Sequence, residues 1–241
     1  MNSYNTATLE KGLGELGLSL TDEQLGQLLQ YYELLISWNE VMNLTAITEF
    51  EEVCVKHFID SLSLCKAYDC TKSISVIDVG TGAGFPGIPL KIAFPNMKIT
   101  LLDSLGKRVK FLNEVINQLG LKDIEAIHGR AEDFAKPQML RESFDLCVSR
   151  AVANLATLSE YCMPYVKVGG QFISYKSEKI VEEMKMAEKA ISILGGEVIA
   201  QNEFTLPCSD IYRNLFVIQK YKTTPKKYPR KAGLPSKEPI V

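Results

Sequence analysis

The feature that most constrains this chain is a glycine-rich turn that follows a short apolar run. The run Ile74–Val79 leads into Gly80-Thr81-Gly82-Ala83-Gly84-Phe85-Pro86-Gly87, and a helical stretch begins directly afterwards. Glycines in such a turn let the backbone approach a ligand closely and adopt conformations that are closed to other residues. A turn of this composition between a strand and a helix predicts a binding loop for a nucleotide-like ligand.

From residue 74 onward, short apolar runs alternate with helical stretches. Buried parallel strands are short and apolar, and the predicted strands are Ile74–Val79, Ile99–Leu102, Ile124–Ile127, Phe144–Val148 and Phe172–Tyr175. Helices are predicted between most of them, over Pro89–Phe94, Lys107–Leu119, Asn154–Tyr165 and Glu178–Leu194. This rhythm predicts a doubly wound parallel sheet with right-handed crossovers. Two further strands follow without a helix between them and can pair antiparallel, Glu197–Phe204 and Asn214–Gln219.

The spacing of the glycines separates two classes of cofactor. A dinucleotide fold uses G-x-G-x-x-G, in which the third glycine packs helix on strand and the helix N-terminus faces a pyrophosphate. Here Gly80, Gly82 and Gly84 form G-x-G-x-G, preceded by Asp78 and followed by Pro86. This pattern matches the loop that surrounds the amino-acid end of S-adenosylmethionine, which we therefore predict as the cofactor.

The predicted fold class is α/β, a Rossmann-like class I S-adenosylmethionine-dependent methyltransferase fold with a seven-stranded, mostly parallel sheet. Ahead of the sheet, Thr21-Asp22-Glu23-Gln24 has the form of a helix capping box, and apolar residues follow at helical spacing. A second helical stretch runs from about Glu51 to Tyr68. We expect an N-terminal helical cap over residues 1–70, the methyltransferase domain over 71–221 and a basic C-terminal tail over 222–241.

Residues after the second and third predicted strands fit the remainder of such a cofactor. Asp103 closes the second strand, where a carboxylate can accept both ribose hydroxyls, although it can also cap the following helix. The third strand leads into Gly129-Arg130-Ala131-Glu132. Such folds contact adenine at this place through backbone amides and an acidic side chain, and a plain turn is the alternative.

The end of the fourth predicted strand, Ser149-Arg150-Ala151-Val152-Ala153, bears on the chemistry. The (Asn/Asp)-Pro-Pro-aromatic motif for exocyclic amines is absent, and Cys147 lies inside the strand with no Pro-Cys dipeptide in the chain, so a nucleophile for pyrimidine carbon-5 is disfavoured. Transfer to an atom with a lone pair, such as guanine N7, needs no general base, and no catalytic residue is predicted. Arg150 is expected to bind the cofactor carboxylate or an RNA phosphate, with a surface ion pair as the alternative.

The net charge of −2 conceals a strongly basic C-terminus. Residues 220–241 carry seven Lys or Arg and one Glu, which leaves +6 on this segment and −8 on the remainder. Such asymmetry favours contact with a polyanion, although a solvated tail has the same composition. Tyr221 and Tyr228 lie among the cations, and the combination of positive charge with aromatic faces favours single-stranded RNA.

Composition sets the remaining limits. No stretch approaches the ~20 apolar residues that a membrane-spanning helix needs, and the N-terminal residues lack the pattern of a secretory signal. The six cysteines have irregular spacings without C-x-x-C, so we expect reduced thiols in a cytoplasmic protein. With two histidines and no Cys/His cluster, no metal site is predicted.

With these motifs together, the chain resembles the family of ribosomal small-subunit methyltransferase G, also called glucose-inhibited division protein B. The resemblance runs from about Leu20 to the C-terminus. It rests on motifs spread along the chain, Trp38-Asn39, Met42-Asn43-Leu44-Thr45-Ala46-Ile47, Lys56-His57-Phe58-Ile59-Asp60-Ser61-Leu62, the glycine loop through Leu90, Leu102-Asp103-Ser104, Lys107-Arg108, Phe111-Leu112, Gly129-Arg130-Ala131-Glu132, Ser149-Arg150-Ala151-Val152-Ala153 and Tyr228-Pro229-Arg230-Lys231-Ala232-Gly233-Leu234-Pro235. The family often has Tyr-Lys-Gly after the fifth strand, whereas Tyr175-Lys176 is followed here by Ser177.

The resemblance implies methyl transfer from S-adenosylmethionine to N7 of a guanine in the 530 loop of 16S ribosomal RNA, at nucleotide 527 in the usual rRNA numbering. The partner would be 16S rRNA, the 30S subunit or its assembly intermediate, with no membrane and with the enzyme acting as a monomer. Loss of such enzymes is associated with low-level streptomycin resistance. Together with the loop and strand-end residues above, the expected cofactor-binding set is Gly80, Gly82, Gly84, Phe85, Asp103, Ser104, Ala131, Glu132 and Arg150.

RNA contacts are expected outside the cofactor site. His57 lies on the second N-terminal helix, where it either lines the guanine pocket or is a buried histidine satisfied by a carboxylate such as Asp60. The other expected RNA-binding residues are Lys176 and the tail residues Lys226, Lys227, Tyr228, Arg230 and Lys231.

Three alternatives remain open from the residues alone. A nicotinamide-dependent oxidoreductase would need G-x-G-x-x-G and a downstream acid–base group. A non-catalytic cofactor-binding module would not require both an intact loop and a basic tail. A methyltransferase of another RNA or of a small molecule shares the cofactor site, and a small-molecule enzyme would gain nothing evident from the basic tail.

Overall fold

The computed structural model describes residues 4–150, 153–177 and 181–240, and these contain a central seven-stranded sheet. Its strands are β1 (Ser75–Val79), β2 (Lys98–Asp103), β3 (Ile124–His128), β4 (Phe144–Arg150), β5 (Val166–Lys176), β6 (Gly196–Thr205) and β7 (Tyr212–Lys220). Their order is β3-β2-β1-β4-β5-β7-β6. Strands β1 to β5 are parallel, and β7 pairs antiparallel with both β5 and β6. The predicted fold, including its antiparallel final pair, is confirmed.

Helices cover both faces of this sheet. The first two are α1 (Ala7–Glu15) and α2 (Asp22–Met42). A composite helix follows, built from α3 (Phe50–Val53), a π-helix (Cys54–Ile59), α4 (Asp60–Leu62) and a 3₁₀ turn (Ser63–Lys66). The remaining helices are α5 (Gly87–Ala93), α6 (Gly106–Gln118), α7 (Ala131–Phe134), α8 (Leu155–Cys162), which continues into the 3₁₀ turn Met163–Tyr165, α9 (Val181–Ile193) and α10 (Leu234–Lys237).

The sequence signals account for the helix starts that matter here. The predicted capping box opens α2, because Thr21 Oγ1 accepts from the Gln24 backbone N–H and the Gln24 side chain accepts from the Thr21 N–H. The second predicted N-terminal helix is present over nearly its expected length, but its middle turn is a π-helix. The start of the predicted helix Glu178–Leu194 lies outside the described residues.

The N-terminal helices contribute to one of the two core layers. Alternate residues of β1 enter opposite layers, since Val76 packs with residues of α2 and the composite helix, whereas Ile77 packs with residues of α8 and α9. A parallel sheet must be covered on both faces, and the N-terminal helices supply part of the first cover. The division of the chain at residues 70 and 221 stays a prediction. Within the described ranges no helix is long and apolar enough to cross a membrane.

Candidate cofactor and substrate site

The predicted cofactor residues collect at the carboxyl ends of the parallel strands, where open α/β sheets bind their ligands. A cavity of about 320 Å³ lies there. Five of the predicted residues line it, Gly80, Asp103, Ser104, Ala131 and Glu132. Among the lining residues that were not predicted as cofactor contacts, three have polar side chains, Arg108, Arg130 and Tyr161. The structure thus joins residues from three strand ends in one concave site.

The glycine loop needs its glycines for conformation and for space. Gly80, Gly82 and Gly84 have φ values of +72°, +63° and +101°, which L side chains rarely adopt. A Cβ on Gly84 would also lie 2.4 Å from Ile88 Cδ1 and 2.7 Å from Tyr31 Oη. The turn is fastened to the neighbouring strand, because the N–H of Gly80 donates to Leu102 O at 2.8 Å.

Asp78 lies under this loop with one oxygen free for a ligand. It is fully buried, and its Oδ2 accepts from Thr81 Oγ1 at 2.6 Å and from the Gly87 N–H at 2.9 Å. Its Oδ1 has no hydrogen-bond partner among the described residues. Burial raises the pKa of Asp78 to about 6, against the lowering effect of the two hydrogen bonds and of Arg150. A buried carboxylate oxygen without a partner fits a cofactor that brings its own donor, such as the ammonium group of S-adenosylmethionine.

Asp103 both holds the glycine loop and lines the first cavity. Its Oδ2 accepts from the Gly82 N–H at 2.9 Å, its Oδ1 accepts from the Leu105 N–H at 2.9 Å, and Arg108 Nη1 is 3.4 Å from Oδ2. The carboxylate therefore tethers the glycine loop to the start of α6. A carboxylate offers about four acceptor positions, so these contacts leave capacity for a ribose hydroxyl.

Glu132 connects the cavity to the C-terminal segment. Its side chain is buried at the cavity wall, and its Oε1 accepts from the Gly233 N–H at 2.8 Å. The segment is held nearby by Arg230, which donates through Nε and Nη2 to the buried Glu160 of α8. Residues beyond β7 therefore pack against the same edge of the sheet as the predicted cofactor residues.

A second cavity, of about 520 Å³, lies next to the glycine loop. It includes the predicted residues His57, Arg150 and Lys176 among its lining. Phe85 of the loop borders these groups, since its ring stacks on the His57 ring at 4.4 Å and lies 5.3 Å from the Arg150 guanidinium carbon. Phe85 thus joins the loop at the first cavity to the charged wall of the second.

The wall behind Phe85 is a cluster of a buried aspartate and two partly buried arginines. Asp60 is 1% exposed. Arg150 Nη1 donates to Asp60 Oδ2 at 2.7 Å, and Arg213 Nε donates to Asp60 Oδ1 at 2.6 Å. The alternative that Arg150 forms an exposed surface pair does not describe this contact, because the Arg150 side chain is only 14% exposed.

His57 is held as a neutral imidazole in this wall. Burial, with a further contribution from the nearby Arg150, lowers the pKa of His57 to about 4. Its Nδ1 lies 3.3 Å from Arg150 Nη2, and its Nε2 lies 3.0 Å from Thr45 Oγ1. The same Nδ1 is also 3.1 Å from Lys56 O. Arginine can only donate and a carbonyl can only accept, so the two contacts at Nδ1 favour opposite tautomers of the neutral ring.

Comparison with known proteins identifies the family. A family model described as rRNA small subunit methyltransferase G matches residues 24–212. A relative of that name from Alkaliphilus metalliredigens (strain QYMF) is 56% identical over 232 residues, which cover 96% of this chain and 97% of the relative. One from Lachnoclostridium phytofermentans is 55% identical over 237 residues and 98% of each chain. The chain belongs to this family.

Solved structures of lower identity show the shared fold. An S-adenosylmethionine-dependent methyltransferase from Aquifex aeolicus has a TM-score of 0.52 at 19% identity, covering 70% of this chain and 93% of that one. TYW2 from M. jannaschii, in complex with AdoMet, has a TM-score of 0.52 at 16% identity, covering 64% and 73%. These comparisons confirm the family resemblance, the enzyme class and S-adenosylmethionine as cofactor. They exclude the two alternatives of an oxidoreductase and a non-catalytic cofactor-binding module.

The expected RNA contacts of this methyltransferase G family member fall into separate groups. Lys176 lines the second cavity, where its Nζ donates to Glu183 Oε1 at 2.7 Å and to Ala153 O at 3.0 Å. Tyr228 is buried, and Arg230 is bound by Glu160, so both side chains hold the C-terminal segment in place. Lys226, Lys227 and Lys231 are exposed and line neither cavity. RNA binding by all of them stays a prediction.

Arg213 is a residue of the second cavity that sequence reasoning missed. It lies 153 positions from Asp60 and in a strand whose local pattern carries no functional motif. The antiparallel direction of β7 brings its first residues to the edge where β4 and β5 end, as the pairing of Asn214 with Lys176 shows. No local signal could have found this contact. Thr45, by contrast, lay within a motif that was recognised.

Proposed function

We propose that this chain transfers a methyl group from S-adenosylmethionine to N7 of a guanine in the 530 loop of 16S rRNA, at nucleotide 527. The relatives' name specifies small-subunit rRNA, and the base, atom and loop are our inference. The substrate is the 30S subunit or an assembly intermediate. We further propose that the enzyme acts in the cytoplasm as a monomer without membrane contact.

The observation that carries the choice of N7 is that the second cavity offers no free base. Among the described lining residues, both carboxylates are engaged by cations. Asp60 is bound by Arg150 and Arg213, and Glu183 is bound by Lys176 and by the Leu155 N–H. His57 has both ring nitrogens engaged and a lowered pKa, so it is a weak acceptor of protons. Guanine N7 already carries a lone pair, whereas an amine or ring N–H target calls for proton removal.

The charge of this cavity supports an RNA substrate. Four cations line its described wall, Lys56, Arg150, Lys176 and Arg213, against the two carboxylates of Asp60 and Glu183. The resulting positive excess attracts a phosphate backbone, and the low exposure of the arginines limits screening by salt. A small neutral acceptor would not require this excess.

The residues that would hold the cofactor follow from the first cavity and the loop. The glycine backbone and Asp78 fit the amino-acid end, Asp103 fits the ribose, and Ala131 with Glu132 fits the adenine. When bound, S-adenosylmethionine supplies an activated methyl group on a sulfonium centre. Phe85 and His57 form a stacked, largely buried wall beside Arg150, so this chain contributes mainly position and a positively charged surrounding.

The test is a methyl-transfer assay with labelled S-adenosylmethionine and small subunits from a strain that lacks this gene. Naked 16S rRNA and assembly intermediates are compared with 30S subunits, and the modified nucleotide is mapped. Label at N7 of the 530-loop guanine, absent with subunits from the parent strain because they are already modified, supports the proposal. Label at another atom or nucleotide contradicts it. A Gly84→Ala variant is the matched control for cofactor-dependent label.

A further inference from the structure

We propose that Arg213 and Asp60 are positioning residues for the cofactor. They fix the Arg150 guanidinium so that two of its N–H groups remain directed to the carboxylate of S-adenosylmethionine. The inference rests on the cofactor-binding role that the sequence predicts for Arg150, and it goes beyond that role because neither Arg213 nor Asp60 need touch the ligand.

Asp60 is shared unequally by the two arginines. Arg213 approaches both carboxylate oxygens, with Nε 2.6 Å from Oδ1 and Nη2 3.3 Å from Oδ2. Arg150 reaches Asp60 through Nη1 alone, at 2.7 Å from Oδ2. Since Arg213 bridges the two oxygens of Asp60, it occupies the positions that a second two-point contact would need, and Arg150 is left with a single contact at Oδ2.

Arg150 has more N–H donors than its neighbours among the described residues accept. A guanidinium has five N–H groups. Nη1 donates to Asp60 and to Lys56 O, at 3.1 Å for the latter, and Nη2 faces His57 Nδ1. The Nε–H and one Nη2–H have no partner among the described residues. These two lie on the same side of the guanidinium and form the fork that matches a carboxylate.

Loss of Arg213 would change the way in which Arg150 binds Asp60. Asp60 would have a free Oδ1 and would draw Arg150 into a two-point contact through Nη1 and Nη2, because that is the preferred geometry of an isolated pair. Nη2 would then leave the fork. With Arg213 present the cluster instead holds two cations and one anion, and such a buried positive excess is stabilised by an anionic ligand.

The experiment compares two ligands that differ at the amino-acid end. S-Adenosylhomocysteine has the carboxylate, whereas 5′-methylthioadenosine lacks the amino-acid group and retains the adenosine and sulfur. Calorimetric binding to an Arg213→Met variant is expected to be about tenfold weaker for S-adenosylhomocysteine, the order of one charge-assisted hydrogen bond, and within twofold of the parent for 5′-methylthioadenosine. An Arg213→Lys variant, which restores the charge without the two-point contact, is expected to lie between.

Lys220→Met is the matched control, because Lys220 lies at the other end of the same strand. Its Nζ is buried and 2.9 Å from Glu142 Oε1, so this variant also breaks a buried ion pair. It is expected to unfold at a lower temperature while the ratio of the two ligand affinities stays unchanged. In an Arg150→Met background, Arg213→Met is expected to cause no further loss of S-adenosylhomocysteine affinity.

Equal loss of both ligands in the Arg213 variants would overturn the positioning role and leave a structural one. Unchanged S-adenosylhomocysteine affinity in Arg213→Met would overturn it as well. If the parent protein bound neither ligand, the cofactor site itself would fail together with this inference. If the parent bound both but did not methylate the 530 loop, the proposed function would fail while the positioning role remained supported by the affinity ratio.

Discussion

The buried carboxyl of Asp78 should make the stability of the protein depend on pH in a defined direction. Its pKa is raised from 3.8 to about 6, chiefly by burial, while Thr81 and Gly87 donate to one of its oxygens. A folded-state pKa above the unfolded value means that the folded protein holds the proton more tightly. The contribution of this carboxyl is therefore complete below pH 3.8 and is lost as the pH rises through about 6.

The size of the effect follows from the shift. A difference of about two pKa units corresponds to about 3 kcal/mol, since one unit corresponds to about 1.4 kcal/mol. In Asp78→Asn the amide oxygen can still accept from Thr81 and Gly87, but no charge is buried at neutral pH. The free energy of unfolding of Asp78→Asn, relative to the parent, should therefore rise by about 3 kcal/mol between pH 4 and pH 8.

The assay is urea denaturation of both proteins across this range, with and without S-adenosylhomocysteine. The ligand should stabilise the parent more than the variant, because only the parent offers the ammonium group an unpartnered carboxylate oxygen. Asp145→Asn is the control. Burial raises the pKa of Asp145, but hydrogen bonds from Lys167 and Ser75 outweigh it and lower the pKa to about 2. Its profile should run parallel to that of the parent above pH 4. Parallel profiles for Asp78→Asn and the parent would refute the reasoning.

Three further outcomes are expected. Gly84→Ala places a Cβ 2.7 Å from Tyr31 Oη at a φ of +101°, so we expect about 1–3 kcal/mol of destabilisation in urea and loss of S-adenosylhomocysteine binding by calorimetry. His57 has a folded pKa of about 4, below the unfolded 6.5, so its contribution is present above pH 6.5 and is lost as the pH falls towards 4. His57→Gln should therefore gain about 3 kcal/mol relative to the parent over that window, and an unchanged difference would contradict the assignment. Alanine should also replace the three exposed tail lysines, Lys226, Lys227 and Lys231. This variant should have a higher KM for subunits and a weaker salt dependence of that KM, with cofactor affinity unchanged.

The sheet and the cofactor loop could be predicted because their signals are local. Short apolar runs and the glycine spacing are properties of adjacent residues, and the structure contains the strands and the loop where the sequence indicated them. The π-helix Cys54–Ile59 was not predicted, since a wider turn leaves the apolar spacing almost unchanged. A tail rich in basic and aromatic residues can either stay in solvent or pack against the protein, and the sequence pattern is the same in both cases. Tyr228 and Arg230 pack against the protein.

The N-terminal helices contact the predicted cofactor loop directly. Tyr31 of α2 is fully buried, donates to Ala83 O inside the glycine loop and lies 5.3 Å from the Phe85 ring. The composite helix supplies His57, which stacks on the Phe85 ring, and Asp60, which binds the arginines. Since Tyr31 and His57 contact residues of the loop directly, we expect the helices and the loop to form together. A boundary near residue 70 therefore separates the helical sequence pattern from the alternating strand and helix pattern. The second cavity and the loop, however, depend on residues from before and after that boundary.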